Sequence, residues 1–324
     1  MIKQIKIGIT MGDPSGIGPE VIAKALTKAG INKLGKIFVI GDKWVFEAVA
    51  GRKIHSSNFE FINLNNVIHK GFAFGKIKAE FGKAAMEYLK TALLLLRQKK
   101  IDCLVTAPIS KEAINMAGYN YNGHTEFLAR SYKKQKEDVV MMLLNKYLKI
   151  GLVTRHIALS NVSYALNQGA ICRAIIATHR ALKGYFAIAC PKICVAALNP
   201  HAGEGGLLGR DEIEVIVPAV KKVKQSIKGI YGPLPADTAF SYAKKGCFDA
   251  VVAMYHDQAI IPLKVLDFDS GVNLTLGLGF VRTSPLHGTG FDIAGKNASN
   301  SASLINAIKT AVKCTVNLRK KNSR

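Results

Sequence analysis

The chain has 324 residues, 49% of them hydrophobic, and carries a formal net charge of +23 at pH 7. This length allows two domains or one large α/β domain, and no apolar run reaches the ~20 residues of a membrane-spanning helix. The basic residues are spread along the chain without an aromatic-interleaved module, which argues against nucleic-acid binding despite the charge.

The N-terminus and the cysteines indicate the compartment. Residues 1–6 lead directly into a strand pattern, without the apolar core of a secretory signal. The six cysteines are scattered, and only Cys190 and Cys194 lie close together, with no second pair to complete a metal site. The sequence therefore predicts a cytoplasmic protein with reduced thiols.

The first part of the chain predicts alternating strands and helices. In the turn from Met11 to Glu20, Gly16 and Gly18 permit a tight bend and Pro19 suits a helix start. Because this turn lacks the G-x-G-x-x-G fingerprint, it does not support a Rossmann nucleotide site. Residues 52–78 are turn-rich and are predicted to be irregular. The predicted strands are 6–10, 37–41 and 101–106, and the predicted helices are 20–29, 44–49 and 81–99.

A polar loop follows at residues 119–126. His124 and Thr125 offer an imidazole and a hydroxyl to an anionic or hydroxylated ligand. In the alternative interpretation, Thr125 caps a helix that begins at Glu126.

Three later strands each lead to a histidine, namely His156, His201 and His256. The apolar runs that precede these histidines are 148–154, 192–198 and 249–254. Ligands of open α/β sheets bind beyond the carboxyl ends of strands, so the three side chains are expected at one edge. Three neutral imidazoles with open positions suit a catalytic divalent metal. The alternative is that each is a hydrogen-bonded loop residue, which is the commoner role of a lone histidine after a strand.

The last part of the chain adds polar groups between apolar segments. Lys264, Asn273 and Arg282 form a set that suits a phosphate or carboxylate. Asp237 stands in a rigid turn, where it is either a ligand or the N-cap of the next helix. A glycine-rich loop, 287–297, precedes the final helix. The remaining predicted helices are 163–182, 212–228 and 299–318, and the remaining predicted strands are 272–278 and 280–284.

Together these stretches resemble the 4-hydroxythreonine-4-phosphate dehydrogenase family (PdxA family) of vitamin B6 biosynthesis, over nearly the whole chain. Each motif is weak alone, but their ordered combination is specific. The motifs are Met11 to Glu20, Thr106 to Lys111, Gly123 to Glu126, Asn199 to His201, Pro235 to Thr238, Tyr255 to Gln258, Gly271 to Gly277 and Arg282 to Ser284.

The resemblance implies an α/β fold like that of isocitrate and isopropylmalate dehydrogenases, with two α/β subdomains around an interdomain active-site cleft. It also implies a homodimer in which the partner subunit completes the active site. The outer, cofactor-side subdomain is expected at 1–125 plus 275–324. The dimerisation and metal-binding subdomain is expected at 126–274.

The resemblance also implies roles for single residues. His156, His201 and His256 are expected to hold one divalent metal, such as zinc, cobalt, magnesium or manganese, with ligands from both subunits. The expected substrate-binding residues are His124, Thr125, Asp237, Lys264, Asn273 and Arg282. The loop that is expected to bind NAD or NADP contains His287, Gly288, Thr289, Asp292 and Asn297.

Two details of the expected site are open. The proton acceptor is His124, Asp257 or a water on the metal. The family commonly has an aspartate directly before His-Gly-Thr, where this chain has Leu286. Because Leu286 borders the expected cofactor loop, this departure concerns cofactor affinity or the choice between NAD and NADP.

The implied reaction is the oxidation of 4-phosphohydroxy-L-threonine to 2-amino-3-oxo-4-phosphooxybutanoate, which decarboxylates to 3-amino-2-oxopropyl phosphate. A sister dehydrogenase of threonate or erythronate phosphate would share every motif. A metal-dependent phosphohydrolase and a basic nucleic-acid-binding protein are the alternatives from other classes.

Overall fold

A computed structural model of the chain describes residues 4–51, 59–133, 135 and 138–322. The chain forms two compact units. Unit 1 comprises residues 1–134 and 278–316, and unit 2 comprises residues 135–277 and 317–324. The functional division expected at residues 125 and 274 stays a prediction. Among the described residues, no helix combines the length and the apolar character that crossing a bilayer requires.

Unit 1 contains a parallel sheet in the strand order β3-β2-β1-β4-β11. Its strands are β1 (Lys6–Thr10), β2 (Lys36–Gly41), β3 (Glu60–Asn63), β4 (Cys103–Thr106) and β11 (Val281–Pro285). Its helices include α1 (Gly18–Leu26), α2 (Lys43–Ala50), α3 (Ala79–Arg97), α4 (Lys111–Met116) and α5 (His124–Ser131). Residues such as Ile7, Ile9 and Val105 are fully buried, as expected for parallel strands that are covered on both faces.

Unit 2 contains a mixed sheet in the strand order β10-β5-β6-β9-β7-β8. Its strands are β5 (Val140–Leu144), β6 (Lys149–Leu152), β7 (Ile193–Ala196), β8 (Ile230–Leu234), β9 (Ala250–Ala253) and β10 (Val272–Leu276). The helices are α6 (Val162–Ala165), α7 (Gln168–Gly184), α8 (Val217–Lys224), α9 (Ala236–Lys244) and α10 (His256–Leu266). The pairs β10–β5 and β5–β6 are antiparallel, whereas β6–β9, β9–β7 and β7–β8 are parallel. Ile175 of α7 packs in a buried cluster with Ile193, Val195 and Val252 of the sheet.

The last helix, α11, covers Ala302–Asn322. The prediction of an α/β chain is confirmed, and most predicted elements lie within a few residues of their expected bounds. Three strands, β3, β5 and β8, were not predicted. Part of the expected irregular segment, 52–58, lies outside the described residues, but β3 follows it where no strand was expected.

Two predicted helices are interrupted. The helix expected at 163–182 ends with α6 and starts again at α7, because Asn167 adopts an extended backbone and accepts a hydrogen bond from Ala170 N at 2.9 Å. The helix expected at 212–228 begins as a π-helical turn over Glu212–Ile216, which α8 then continues.

Candidate active site

The three strands that lead to the predicted metal ligands are neighbours in unit 2. β6, β9 and β7 lie side by side and run parallel, so their carboxyl ends meet at one edge, as predicted. Thr154 N and Oγ1 donate to Met254 O at 3.1 and 2.7 Å. The buried Gln258 accepts from Met254 N and donates to Ala197 O, both at 2.7 Å. These bonds fix the spacing of the three strand ends.

His156 and His256 come together beyond this edge. Their ring centroids are 5.5 Å apart, and both side chains line a small cavity that also includes Thr154 and Tyr255. His256 Nδ1 lies 3.1 Å from Asp257 Oδ1. A carboxylate at Nδ1 fixes the ring and the tautomer, which leaves Nε2 with its lone pair available for a metal.

His201 is not grouped with this pair. In the described part of the chain, no three His, Cys, Asp or Glu side chains form a cluster that suits a metal ion. The His201 side chain is 75% exposed, and its Nδ1 lies 3.6 Å from Glu204 Oε2. Within one copy of the chain, the structure therefore brings together two of the three predicted ligands.

The backbone around His201 is left-handed. Residues 201–205 have φ values of 51°, 58°, 80°, 44° and 67°, and three of these five residues are not glycine. His156 also has a positive φ, 52°. A non-glycine residue in this region costs roughly 1–2 kcal/mol, so surrounding contacts must hold it there.

A buried glutamate, Glu212, holds the start of this left-handed turn. Its side chain is only 3% exposed. Glu212 Oε1 accepts from Leu198 N and Asn199 N, both at 2.8 Å, and Oε2 accepts from Asn199 Nδ2 at 3.0 Å. Position 203 requires glycine, because a Cβ there would lie 2.6 Å from Glu212 Oε2.

In unit 1, Arg282 and His124 form the core of the predicted substrate-binding set. Arg282 is 2% exposed, and its Nη2 donates to Thr106 Oγ1 at 2.6 Å. Burial lowers the pKa of Arg282 to about 9. Burial, and then the charge of Arg282, hold the pKa of His124 well below its ordinary value. At neutral pH His124 is therefore an uncharged imidazole beside a buried cation.

Two alternative structural roles considered above are wrong. Thr125 does not cap a helix, since α5 begins at His124 with Gly123 as its N-cap. Asp237 is not an N-cap either, because Pro235 holds that position in α9 and Asp237 lies exposed in the first turn. The substrate-binding roles that the resemblance implies for Thr125 and Asp237 stay predictions.

The remaining predicted substrate residues lie in unit 2. Lys264, on α10, has its Nζ 4.5 Å from the centre of the Phe268 ring. Asn273, on β10, has a buried Oδ1 with no hydrogen-bond partner among the residues that the structure describes. An unsatisfied buried amide oxygen is costly, which favours a donor group on a ligand at this position.

The predicted cofactor loop of unit 1 is partly exposed. Gly288 and Asp292 are exposed, whereas Thr289 O accepts a hydrogen bond from Ile17 N at 2.8 Å. His287 Nδ1 lies 3.1 Å from Gly288 O. The loop ends at Asn297, which has a positive φ of 57°.

Some residues that hold these sites were not assigned a site role from the sequence. Leu286, at the position that departs from the family, donates its backbone N to Ser303 Oγ at 3.0 Å. In the sequence, Glu20 and Glu212 stand only as the first residues of the predicted helices 20–29 and 212–228, where an acidic residue is common. The available signal is that each glutamate follows a glycine-containing turn, but its distant partners are not visible in the sequence.

Comparisons with known proteins show which family the chain belongs to. The chain matches the family model described as "Pyridoxal phosphate biosynthetic protein PdxA" over residues 23–311. It is 43% identical, over 94% of its length and 95% of the other, to a protein of Cupriavidus necator named D-threonate 4-phosphate dehydrogenase. The crystal structure of 4-hydroxythreonine-4-phosphate dehydrogenase from Klebsiella pneumoniae superposes with a TM-score of 0.86 at 35% identity, over 97% of this chain and 98% of that one.

A more distant likeness concerns the fold alone. Isocitrate dehydrogenase from Methylococcus capsulatus superposes with a TM-score of 0.50 at 13% identity, over 98% of this chain and 89% of that one. The predicted fold of the isocitrate dehydrogenase type is therefore confirmed. At this identity the likeness carries no information about the substrate.

Proposed function

Because the chain belongs to the PdxA family of pyridoxal phosphate biosynthetic proteins, we propose that it oxidises 4-phosphohydroxy-L-threonine with NAD+ or NADP+. The resemblance that its motifs predict is confirmed, and the chain is an oxidoreductase. In this reaction the nicotinamide would accept the hydride from C3 of the substrate, and the C3 hydroxyl would release its proton. The product, 2-amino-3-oxo-4-phosphooxybutanoate, is a β-keto acid that loses carbon dioxide to give 3-amino-2-oxopropyl phosphate.

The observation that carries this proposal is the buried guanidinium of Arg282 in unit 1, whose charge also acts on His124. A dianionic phosphate strongly stabilises a buried guanidinium. Its binding would therefore raise the pKa of Arg282 back toward the ordinary value. An uncharged imidazole beside it is able to accept a proton from the substrate hydroxyl. Thr125, Lys264, Asn273 and Asp237 are proposed to bind the rest of the phosphorylated substrate.

Of the two side chains considered as proton acceptors, beside a water on the metal, we favour His124. The Asp257 carboxylate lies 3.1 Å from His256 Nδ1, so we assign it the role of orienting that ring. None of the contacts described above gives His124 a role in orienting a metal ligand. Its lowered pKa keeps it unprotonated near neutral pH, as a base must be before it reacts.

The two imidazoles at the edge of the unit 2 sheet fit a divalent metal. His156 and His256 would supply two nitrogen ligands, and we propose that His201 of a second copy supplies the third. A divalent cation there would lower the pKa of the substrate hydroxyl and polarise the ketone for decarboxylation. Three imidazoles favour zinc or cobalt, although magnesium or manganese is also accommodated.

A homodimer is proposed on the same ground and on the apolar surface of unit 2. On α10 and after it, Ile261, Val265 and Phe268 are 59%, 80% and 69% exposed. Leu207 and Tyr164, which follow His201 and His156 in the sequence, are 81% and 89% exposed. Exposed apolar side chains in this number favour coverage by another protein surface, here a second copy.

The chain is proposed to act in the cytoplasm. All six cysteines are free thiols, and three of them are buried. Free thiols persist in a reducing compartment. Burial also raises the pKa of Cys194 to about 12, so this thiol is a packing group and not a nucleophile.

The second candidate substrate is D-threonate 4-phosphate, because the relative at 43% identity carries that name. The two substrates share the carboxylate, the C3 hydroxyl and the C4 phosphate. They differ at C2, where one carries an ammonium group and the other a hydroxyl. The residues described above account for the shared groups, so the substrate assay must compare both compounds.

The first experiment follows the near-ultraviolet absorbance of the reduced cofactor. Purified protein is incubated with either substrate, NAD+ or NADP+, and each metal, with and without EDTA. We expect reduced cofactor only when metal is present, with the higher kcat/KM on 4-phosphohydroxy-L-threonine. Phosphate release without cofactor reduction would instead indicate a phosphohydrolase. A higher kcat/KM on D-threonate 4-phosphate would establish the second candidate.

The role of Arg282 is tested by Arg282→Ala. We expect KM for the phosphorylated substrate to rise roughly 10–100-fold, because a charge-assisted pair contributes about 1.5–3 kcal/mol. The dephosphorylated substrate should be affected far less. Arg130→Ala removes an exposed arginine of α5 in the same unit and is the control. Arg282→Lys keeps a buried cation and should retain an intermediate affinity. Equal effects on both substrates would remove the phosphate role.

A further inference from the structure

We propose that Glu20 and Lys24 of α1 are positioning residues that hold the backbone of the predicted cofactor loop at Asn297 and Ser299. The inference rests on the proposed function, since it assigns these residues to the binding of NAD+ or NADP+. Neither residue is assigned such a role by the resemblance or by the comparisons.

The Glu20 carboxylate satisfies three donors at the end of the loop, one on Asn297 and two on Ser299, which lies just beyond it. The residue is 2% exposed. Its Oε2 accepts from Asn297 N at 3.2 Å. Its Oε1 accepts from Ser299 N at 2.8 Å and from Ser299 Oγ at 2.6 Å. Bonds from N–H groups to an ionised carboxylate are roughly twice as strong as neutral ones, so this contact fixes the end of the loop.

Lys24 satisfies the acceptors of the same two residues. Its Nζ donates to Asn297 O at 2.8 Å, to Ser299 O at 2.9 Å and to Glu20 Oε1 at 2.9 Å. The three donor hydrogens of the ammonium group are therefore all used. One ion pair thus holds both the N–H and the C=O of Asn297, the last loop residue, which has a positive φ, and of Ser299 just after it.

The other end of the loop is attached to the same segment of unit 1. Ile17 N donates to Thr289 O at 2.8 Å, and a Cβ on Gly16 would lie 2.9 Å from that oxygen. Residues 16–24 therefore hold the loop at both ends. Gly16 and Glu20, on either side of Pro19, therefore serve one purpose: the first allows the close approach of Thr289 O, and the second binds the other end of the loop.

The charge of Glu20 is secured by its partners. Burial by itself raises the pKa of Glu20, but the bonds from Ser299 and Lys24 outweigh it and keep the pKa below its ordinary value. The ion pair is therefore present at neutral pH. A loop that is held in one conformation before the cofactor arrives loses less conformational entropy on binding, which improves affinity without new contacts.

The experiment compares Glu20→Gln and Lys24→Met with Glu80→Gln and Lys24→Arg. Glu80 is a matched control, because it also lies in the first turn of a helix of unit 1 but is exposed. Lys24→Arg keeps donors for both carbonyls and should restore function. Steady-state kinetics give KM for NAD+ or NADP+ and for the phosphorylated substrate, and hydrogen exchange reports on the amides of Asn297 and Ser299.

We expect KM for the cofactor to rise about tenfold or more in Glu20→Gln and Lys24→Met, while KM for the phosphorylated substrate changes less than about twofold. Exchange at Asn297 and Ser299 should accelerate in the same two variants. Glu80→Gln and Lys24→Arg should resemble the wild type. An equal rise in both KM values, or an unchanged cofactor KM, would overturn the inference.

Failure of the proposed function would look different. A wild-type protein that reduces neither cofactor with either substrate would overturn the proposed function, whatever the variants do. The hydrogen-exchange comparison would still show whether the ion pair holds the loop. Unchanged exchange at Asn297 and Ser299 in the variants would show that the ion pair does not hold the loop, whether or not the protein is active.

Discussion

Glu20 in unit 1 and Glu212 in unit 2 perform the same structural task in different surroundings. Each is buried, lies at the start of a helical segment, and accepts hydrogen bonds from two backbone N–H groups of a loop that is predicted to bind a ligand. Glu20 is paired with Lys24, whereas the contacts described for Glu212 are with Leu198 and with the backbone and side-chain amide of Asn199. The two loops therefore differ in what holds them.

The loops also differ in their own conformation. In the cofactor loop, the positive φ values within residues 287–297 fall on Gly290, Gly295 and Asn297, residue types that tolerate them. In the His201 turn, His201, Ala202 and Glu204 are in the left-handed region as well. The backbone of the cofactor loop in unit 1 is therefore unstrained, whereas the backbone of the His201 turn in unit 2 is strained. The glutamate of unit 2 should consequently matter more for stability.

Glu212→Ala is expected to have the largest effect. The substitution leaves Leu198 N and Asn199 N without their charged acceptor, at a cost on the order of 3 kcal/mol in the free energy of unfolding. Because the His201 turn loses its support, affinity for a divalent metal should fall roughly 10–100-fold. Urea unfolding measures the first effect, and titration with Co2+, followed by its visible absorption, measures the second.

Glu214→Ala is the control for this change. Glu214 lies in the same π-helical turn but is exposed, where it pairs with Arg210 at 2.6 Å. Exposed pairs contribute little, so both the free energy of unfolding and the metal affinity should stay close to wild type. If Glu212→Ala behaved like Glu214→Ala, the turn would be held by other contacts and the comparison with Glu20 would fail.

The fold could be predicted wherever local pattern decides structure. β7 and β9 are continuous apolar runs with turn signals, and they were predicted. β5 was missed because its methionines and leucines have no strand preference, and the pairing with β6 and β10 selects the strand. β8 contains Gly232 and Pro233, which predict a turn. As an edge strand that pairs only with β7 in the described sheet, it tolerates the proline.

The site could be predicted to the level of its ligands but not of their supports. The histidines follow strands, and strand ends are local features. The loop partners of Glu20, Asn297 and Ser299, lie 277 and 279 residues away in sequence, and no spacing rule connects them to Glu20. The left-handed turn at His201 was equally hidden, because only two of its five residues are glycine. Long-range contacts impose both features on the local sequence.

Asp13 sharpens the comparison within unit 1, because it lies near Glu20 in sequence but lacks comparable partners. Its Oδ1 accepts from Ser15 N at 3.0 Å, and its Oδ2 is buried without a hydrogen-bond partner in the described ranges. Burial raises the pKa of Asp13 to about 6, although the bond from Ser15 opposes this shift. The pKa values of Asp13 and Glu20 thus move in opposite directions.

Asp13→Asn should therefore change the pH dependence of stability. The folded state holds the Asp13 proton more tightly than the unfolded state, whose pKa is 3.8, so this group destabilises the fold as pH rises from about 4 to about 6. The variant should gain up to about 3 kcal/mol relative to wild type across that window. Urea unfolding at several pH values measures it, with exposed Asp269→Asn as control. If the free energies of unfolding of wild type and Asp13→Asn changed in parallel with pH, burial would not raise the pKa of Asp13.

Ala202→Gly gives the smallest expected effect and tests the strain in the His201 turn directly. Alanine at a φ of 58° carries roughly 1–2 kcal/mol that glycine avoids, whereas glycine adds about 0.4–1 kcal/mol of unfolded-state entropy. The net result should be a stabilisation of about 0.5–1 kcal/mol, measured as the free energy of unfolding in urea. The matched change Ala170→Gly, in the right-handed α7, should destabilise by about 0.5–1 kcal/mol. A destabilisation by both changes would mean that the turn at His201 is not strained, and Glu212 would then hold a relaxed loop, as Glu20 does.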